Sequence, residues 1–318
     1  RKIDPTRIGQ TISILRTVHQ ITKRYRYEAR SNELYTEINV VMKQFGPVLL
    51  GLYQSLQAIS DPTGMVQAQT LCNKIFYNLS FQDLPAYFED NLAQFMGFLK
   101  VHYNYQNAAI LPTIEDEPGP VEQLQASVAD IVNLYAGKYE EDFPMLPEFV
   151  ELSWTVLTTT VQAGSRWDRV AGSAMSFLAT VARQATYKDL FGPVLQLICD
   201  KVILPNMIFR DTDLELFEDD PLEFLRRDQE ISTDDTSVLS RRSAAVQLTR
   251  SLMEHWETEV TTILANYIQQ YMDQYYATPV PKWREKDAAT QLFSAISIKG
   301  SVQLVHYHFI CILSNVLL

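Results

Sequence analysis

The chain has 318 residues, with 38 Asp+Glu against 27 Lys+Arg, a formal net charge of −11 and a sequence pI near 5.0. That balance argues against broad binding to nucleic acid or to an anionic membrane surface, where Lys and Arg must neutralise phosphate. Apolar residues at 47% and charged residues at 20% exclude a disordered polyelectrolyte, and a low glycine count of 11 disfavours phosphate-cradling loops and folds rich in positive-φ turns.

In chain order, apolar residues recur at three- and four-residue steps with almost no strict alternation, which predicts helices nearly throughout. Asp4-Pro5 opens the first, Ile8, Ile12, Leu15, Val18 and Ile21 form its stripe, and Lys23, Arg24, Arg26 and Arg30 close it where the helix dipole favours cations. Ser31-Asn32-Glu33-Leu34 starts a second run through Ile38, Met42, Phe45, Leu49, Leu52 and Leu56, and Asp61-Pro62-Thr63-Gly64 is a turn. Further helices are predicted at about 65–80 and 85–103, then, after a Pro-rich loop, at 120–138 with 145–162, 167–183 with 187–206, 237–256 with 258–276, and 283–298 with 301–318. Two antiparallel helices in roughly each 40 residues, repeated about six times, predict an all-α, right-handed HEAT-repeat solenoid. An ordinary helical bundle fits the periodicity too, but a single core rarely grows past about 250–300 residues. The expected domains are HEAT repeats over 1–206, an acidic insert over 207–236, and further repeats over 237–318.

Chemistry-bearing motifs are missing: no phosphate loop, dinucleotide fingerprint, zinc-protease helix or nucleophile elbow is present. His306, His308 and Cys311 do not converge, since helical residues two apart point about 200° apart. Asp211, Asp213 and Glu215 imitate half of a calcium loop, but Leu216 stands where its glycine is needed and Leu222 where its final glutamate belongs. No catalytic residue, cofactor or metal is therefore expected. Cys72 and Cys199 read as small core residues, and three widely spaced cysteines fit a reducing compartment, cytoplasm or nucleus. Asn78-Leu79-Ser80 is a glycosylation sequon only in a secreted protein. The apolar run 302–318, at about 17 residues with polar interruptions, falls short of a bilayer span, so no membrane insertion is expected.

One segment departs from the rest. Between Arg210 and Asp235 stand eleven acids (Asp211, Asp213, Glu215, Glu218, Asp219, Asp220, Glu223, Asp228, Glu230, Asp234, Asp235) against Arg210, Arg226 and Arg227, a net −8. A solvated loop without a partner is the bland interpretation. The acids alternate with Leu214, Leu216, Phe217, Leu222, Phe224 and Leu225, however, which a purely solvating loop does not need. The pattern predicts a short-helical insert that docks through Phe217, Leu222 and Phe224 and offers its acids to a basic partner.

The segments Phe217-Glu218-Asp219-Asp220-Pro221-Leu222-Glu223-Phe224-Leu225-Arg226-Arg227-Asp228, Ser240-Arg241-Arg242-Ser243-Ala244-Ala245 and Ser31-Asn32-Glu33-Leu34-Tyr35-Thr36-Glu37-Ile38 resemble the central region of the importin-alpha re-exporters, the exportin-2 family of the importin-beta (karyopherin) superfamily. The resemblance runs from about Ile14 to Ala295; the tail after about 297 matches poorly and reads as divergent. It implies a non-enzymatic receptor that binds Ran-GTP and importin-alpha, contacts nucleoporins, and shuttles between nucleus and cytoplasm through the nuclear pore. It also implies partner contacts at Glu218, Asp219, Asp220, Glu223, Arg226, Arg227 and Asp228, with Arg241 and Arg242 on the helix that follows. The family extends beyond both ends of the matched region, which implies a central segment. A generic HEAT scaffold or an import receptor of the same superfamily is the alternative.

Overall fold

The structure, a computed structural model, describes residues 7–114, 116–161, 164–229 and 240–297. The Asp4-Pro5 start, the acids Glu230, Asp234 and Asp235, and the 301–318 run with His306, His308 and Cys311 lie outside the described residues. Every regular element among the described residues is helical, and the chain divides into two compact units, Arg1–Phe177 and Leu178–Leu318.

In the first unit, α1 (Ile8–Lys23), α2 (Asn32–Leu56), α3 (Pro62–Ser80), α4 (Ala86–Asp90), α5 (Leu92–Tyr103), α6 (Pro120–Lys138) and α7 (Leu146–Thr160) run to the start of α8 (Asp168–Ala182). Local chemistry sets their starts. Ser31 Oγ accepts the Leu34 N–H at 3.2 Å, and Asp61 Oδ1 accepts the Thr63 and Gly64 N–H groups at 3.1 Å, with Pro62 at the first helical position. The expected 85–103 helix breaks at Asn91, whose φ of −115° and ψ of 15° separate α4 from α5.

Helices α1, α3 and α6 pack side by side, with α2, α4, α5 and α7 behind them. Phe76 of α3 is fully buried at the centre, with ring centroids 4.4 Å from Phe88, 4.9 Å from Phe95 and 5.7 Å from Tyr135. Cys72 is fully buried, and desolvation pushes its thiol up to about 12, so it is a core residue and not a nucleophile. Asn78 of the sequon is also buried, donating from Nδ2 to the His19 carbonyl and to Thr22 Oγ1, which leaves no room for a glycan.

Beside the aromatic cluster lies a polar network. Tyr53 Oη donates to Asn73 Oδ1 at 2.8 Å, Asn73 Nδ2 donates to Ser127 Oγ at 2.8 Å, and Ser127 Oγ donates to the Leu124 carbonyl at 2.6 Å. His102 Nδ1 lies 3.2 Å from the same Asn73 oxygen. That oxygen can only accept, so the imidazole carries its proton on Nδ1. Its Nε2 is buried with no hydrogen-bond partner among the described residues, and desolvation holds the ring down at about 3, against an ordinary 6.5.

This sets a pH dependence. The unfolded chain binds the His102 proton near pH 6.5 and the folded chain only near 3. Stability is therefore complete above pH 6.5 and falls as the pH drops through that window, by about 2 kcal/mol at pH 5. The check is the urea midpoint at pH 7 and pH 5 for the chain and for His102→Gln. The variant should lose about half of the difference, since His19, held down at about 4 by burial and by Lys74, Lys23 and Arg26, contributes over the same window, and an undiminished drop would exclude His102 as a source.

In the second unit the expected 187–206 helix is in pieces: α9 (Lys188–Phe191), α10 (Leu195–Ile198), a π turn at Cys199–Ile203 and α11 (Leu204–Met207). Two prolines account for this. Pro193 falls in the 3-10 turn Gly192–Val194, and Pro205 has no N–H for the Lys201 carbonyl and crowds it, so the backbone widens until the Leu204 N–H reaches the Cys199 oxygen. The stretch Ala185–Asp219 passes a length-and-composition test for a membrane span. Phe191, Leu195, Ile198, Val202, Ile203 and Met207 within it are buried in the protein, as in a core helix.

The short helices α12 (Asp211–Asp219) and α13 (Pro221–Gln229) follow, then α14 (Arg241–Ala277) and α15 (Trp283–Ser297), which pack against each other. Ser240 caps α14 through the Ser243 N–H at 3.0 Å. The boundary expected between helices 237–256 and 258–276 is present: α14 is two helical stretches that meet at a kink at Trp256, where φ is −133° and ψ is 46°. Trp256 packs on Phe191, and His255 Nε2 meets the Arg183 carbonyl at 2.9 Å.

Candidate partner-binding surface

The acidic segment folds as a helical hairpin, α12 against α13, both packed within the second unit. Arg210 starts it. Its guanidinium grips Asp213 from Nε (3.1 Å) and Nη2 (3.0 Å), while its N–H bonds the same carboxylate at 2.9 Å. Asp220 makes the second corner: Oδ1 accepts the Glu223 N–H at 3.0 Å and Pro221 occupies the first position of α13.

The hairpin is anchored by a ladder of rings. Phe217 lies 5.5 Å from Phe224, Phe224 5.3 Å from Phe209, and Phe209 5.5 Å from Trp283 of α15. Phe209 is the buried rung, and the Arg242 guanidinium sits 5.0 Å over it. A second tie joins Asp211 to Arg284.

The structure sorts the predicted site residues into three groups. Some acids are already neutralised: Asp211 by Arg284, Asp213 by Arg210, and Glu223 by Arg226 at 2.6 Å and Arg227 at 2.7 Å. Arg226 and Arg227 remain exposed while paired. Glu215, Glu218, Asp219 and Asp220 are exposed and form no ion pair among the described residues. Glu218 and Asp219 occupy the C-terminal turn of α12, where the helix dipole disfavours anions, so their placement does not serve the helix. Asp228 lies on α13, and its side chain is outside the described residues.

Two expectations require correction. Leu222 is 79% exposed and does not anchor the hairpin; Phe209 and Trp283 take that part. Arg241 and Arg242 do not face a partner, being only 3% and 5% exposed. Arg242 is held 2.6 Å from Asp287 and stacked on Phe209, because a basic residue in the first turn of α14 can reach α15. The missed anchors had a faint signal: Phe209 is an isolated aromatic beside Arg210, and Trp283 opens a helix next to Arg284.

No group of three His, Cys, Asp or Glu side chains among the described residues is arranged to hold a metal ion. Cys199 is buried, with its thiol pushed up to about 12 by desolvation and by Asp200.

The Cse1 family model matches residues 21–313. An importin-alpha re-exporter from Schizosaccharomyces pombe is 36% identical over 312 residues, covering 94% of this chain and 31% of that protein. Exportin-2 from Homo sapiens and from Bos taurus is 38% identical over 301 residues, covering 91% of this chain and 30% of theirs. A solved structure described as the exportin Cse1 in its cargo-free, cytoplasmic state superposes with a TM-score of 0.86 at 31% identity, over 95% of this chain and 33% of that one. The architecture is thus the all-α HEAT-repeat solenoid, and the chain spans about a third of the length of these relatives.

Proposed function

Because the chain belongs to the Cse1 family, we propose that it forms a segment of a nuclear export receptor that returns importin-alpha from nucleus to cytoplasm together with Ran-GTP. The observation that carries this reading is the likeness, along nearly the whole chain, to proteins named importin-alpha re-exporter and exportin-2. In this role the segment performs no reaction. It supplies surface, shuttles through the pore against nucleoporins, and is found in both nucleus and cytoplasm.

The acidic hairpin is the part of the second unit best suited to a basic partner surface on Ran or importin-alpha. Glu215, Glu218 and Asp219 present charge not spent within the fold, with the exposed Asp220 capping α13 beside them, on a scaffold fixed by Phe224, Phe209 and Trp283. Arg226 and Arg227 stand at its edge, where an acidic group of the partner could compete for them. Exposed charge pairs of this kind are screened over about 8 Å at physiological ionic strength, so the contact is salt-sensitive.

The test is capture of importin-alpha by the full-length receptor carrying this segment, with Ran loaded with GTP or GDP. Capture only with the GTP form is the expected result; equal capture with both rejects the export reading. Glu218→Ala, Asp219→Ala and Asp220→Asn combined, the asparagine keeping the cap on α13, should weaken GTP-dependent capture about tenfold at unchanged helicity, with the deficit shrinking as salt rises. Unchanged binding would mean that the hairpin only covers the solenoid surface.

A further inference from the structure

The strongest feature outside the hairpin is a cationic face on the first unit. Lys23 at the end of α1, Arg26 and Arg30 in the connection after it, Lys74 on α3, Lys138 at the end of α6 and Arg169 at the start of α8 are linked by their electrostatic effects on one another and on intervening groups. The carboxylate among them, Asp130, is committed to Arg169 at 2.9 Å and to Ser173 at 2.7 Å. Glu28 and Asp83 stand at the rim, as chain neighbours of the Arg30 and Gln82 connections.

Arg26, Lys138 and Arg30 are held in place. The Arg26 guanidinium lies 4.8 Å from the ring centroids of both Tyr77 and Phe81, and the Lys138 ammonium lies 4.3 Å from that of Phe81 while donating to its carbonyl. Arg30 Nε donates to Gln82 Oε1 at 3.3 Å, and Gln82 Nε2 in turn donates to the Tyr25, Arg26 and Glu28 carbonyls. Lys74 is half-buried, with neither a carboxylate nor a hydrogen-bond acceptor at its ammonium among the described residues. Desolvation, with Arg169 and Lys23 nearby, lowers its pKa against the pull of Asp130.

A lysine free to choose would extend into water. Lys74 instead stays half-buried among like charges, where an arriving anion gains more than it would from a solvated lysine. Cations held on aromatic faces also lose little side-chain freedom when an anion arrives.

We propose that this face of α1, α3, α6 and α8 is a second docking surface, which takes an acidic segment of a partner protein. It is separate in chemistry from the acidic hairpin, which fits a basic partner. A polypeptide suits it better than a nucleic acid, because a long polyanion would also meet the field of a chain whose net charge is −11.

The test uses the full chain and a fluorescein-labelled Glu/Asp-rich peptide, followed by anisotropy at low and physiological salt. Binding is expected, weakened about tenfold in Lys74→Gln/Lys138→Gln. It should be unaffected by Lys43→Gln, an exposed lysine on α2. Circular dichroism must match for each variant; should the double variant misfold, Lys23→Gln/Arg30→Gln decides the matter in the same direction. Absence of binding, equal weakening by Lys43→Gln, or oligo-dT binding as tight as the peptide's at the same salt overturns the proposal.

Discussion

Replacing Asn73 with alanine is expected to lower the stability of the first unit by about 3–5 kcal/mol. The side chain contributes no charge and little apolar area. Its effect comes from the groups it satisfies: Tyr53 Oη, the His102 Nδ1–H and Ser127 Oγ all meet it in a site closed to water. Each buried polar group left without a partner costs about 1–3 kcal/mol. Urea unfolding of the chain is the measurement, together with Tyr53→Phe and the double variant. In the double variant one orphaned hydroxyl is gone, so its cost should fall below the sum of the singles by at least about 0.5 kcal/mol. A loss of under about 1 kcal/mol for Asn73→Ala would mean that the network is dispensable.

The second large effect is expected at Phe209. Phe209→Ala removes a buried ring that joins α13, α14 and α15, and should cost the second unit about 3–4 kcal/mol. It should also release the hairpin. Amide hydrogen exchange over residues 211–229 is expected to rise before the unit unfolds globally, because α12 has no buried residue of its own. Phe224→Ala, which truncates a half-buried rung, should raise exchange over the same residues with a smaller change in urea midpoint. Unaltered protection at 211–229 in both variants would show that the hairpin is held by Asp211–Arg284 and the Arg210–Asp213 clamp instead. The two outcomes bear on binding, since an acidic surface on a released hairpin must be reordered when a partner docks.

Local signals were legible where one turn of chain contains both partners. Ser31 caps the helix that the sequence starts there, because hydroxyl and N–H lie three residues apart, whereas the helix expected unbroken over 187–206 is interrupted at Pro205 by the defect in its own ring. The charge of the hairpin was equally visible, since charge is a property of composition. How much of it is free was not visible. Asp211 and Asp213 read alike in sequence, yet one is answered by an arginine 73 residues away and the other by its neighbour Arg210.

The amino-acid sequence by itself determined the helical class, the approximate helix ends, the absence of recognisable catalytic motifs and the location of an acidic insert, because periodicity, capping and charge act over a few residues. Tertiary structure alone decided the roles that depend on distant partners. It turned Leu222 outward, buried Arg241 and Arg242, chose Phe209 and Trp283 as anchors, and gathered Lys23, Lys74, Lys138 and Arg169 from four helices onto one face. A side chain's burial and its counter-charge are set by whatever packs against it, and in a stack of helices that neighbour comes from another part of the chain.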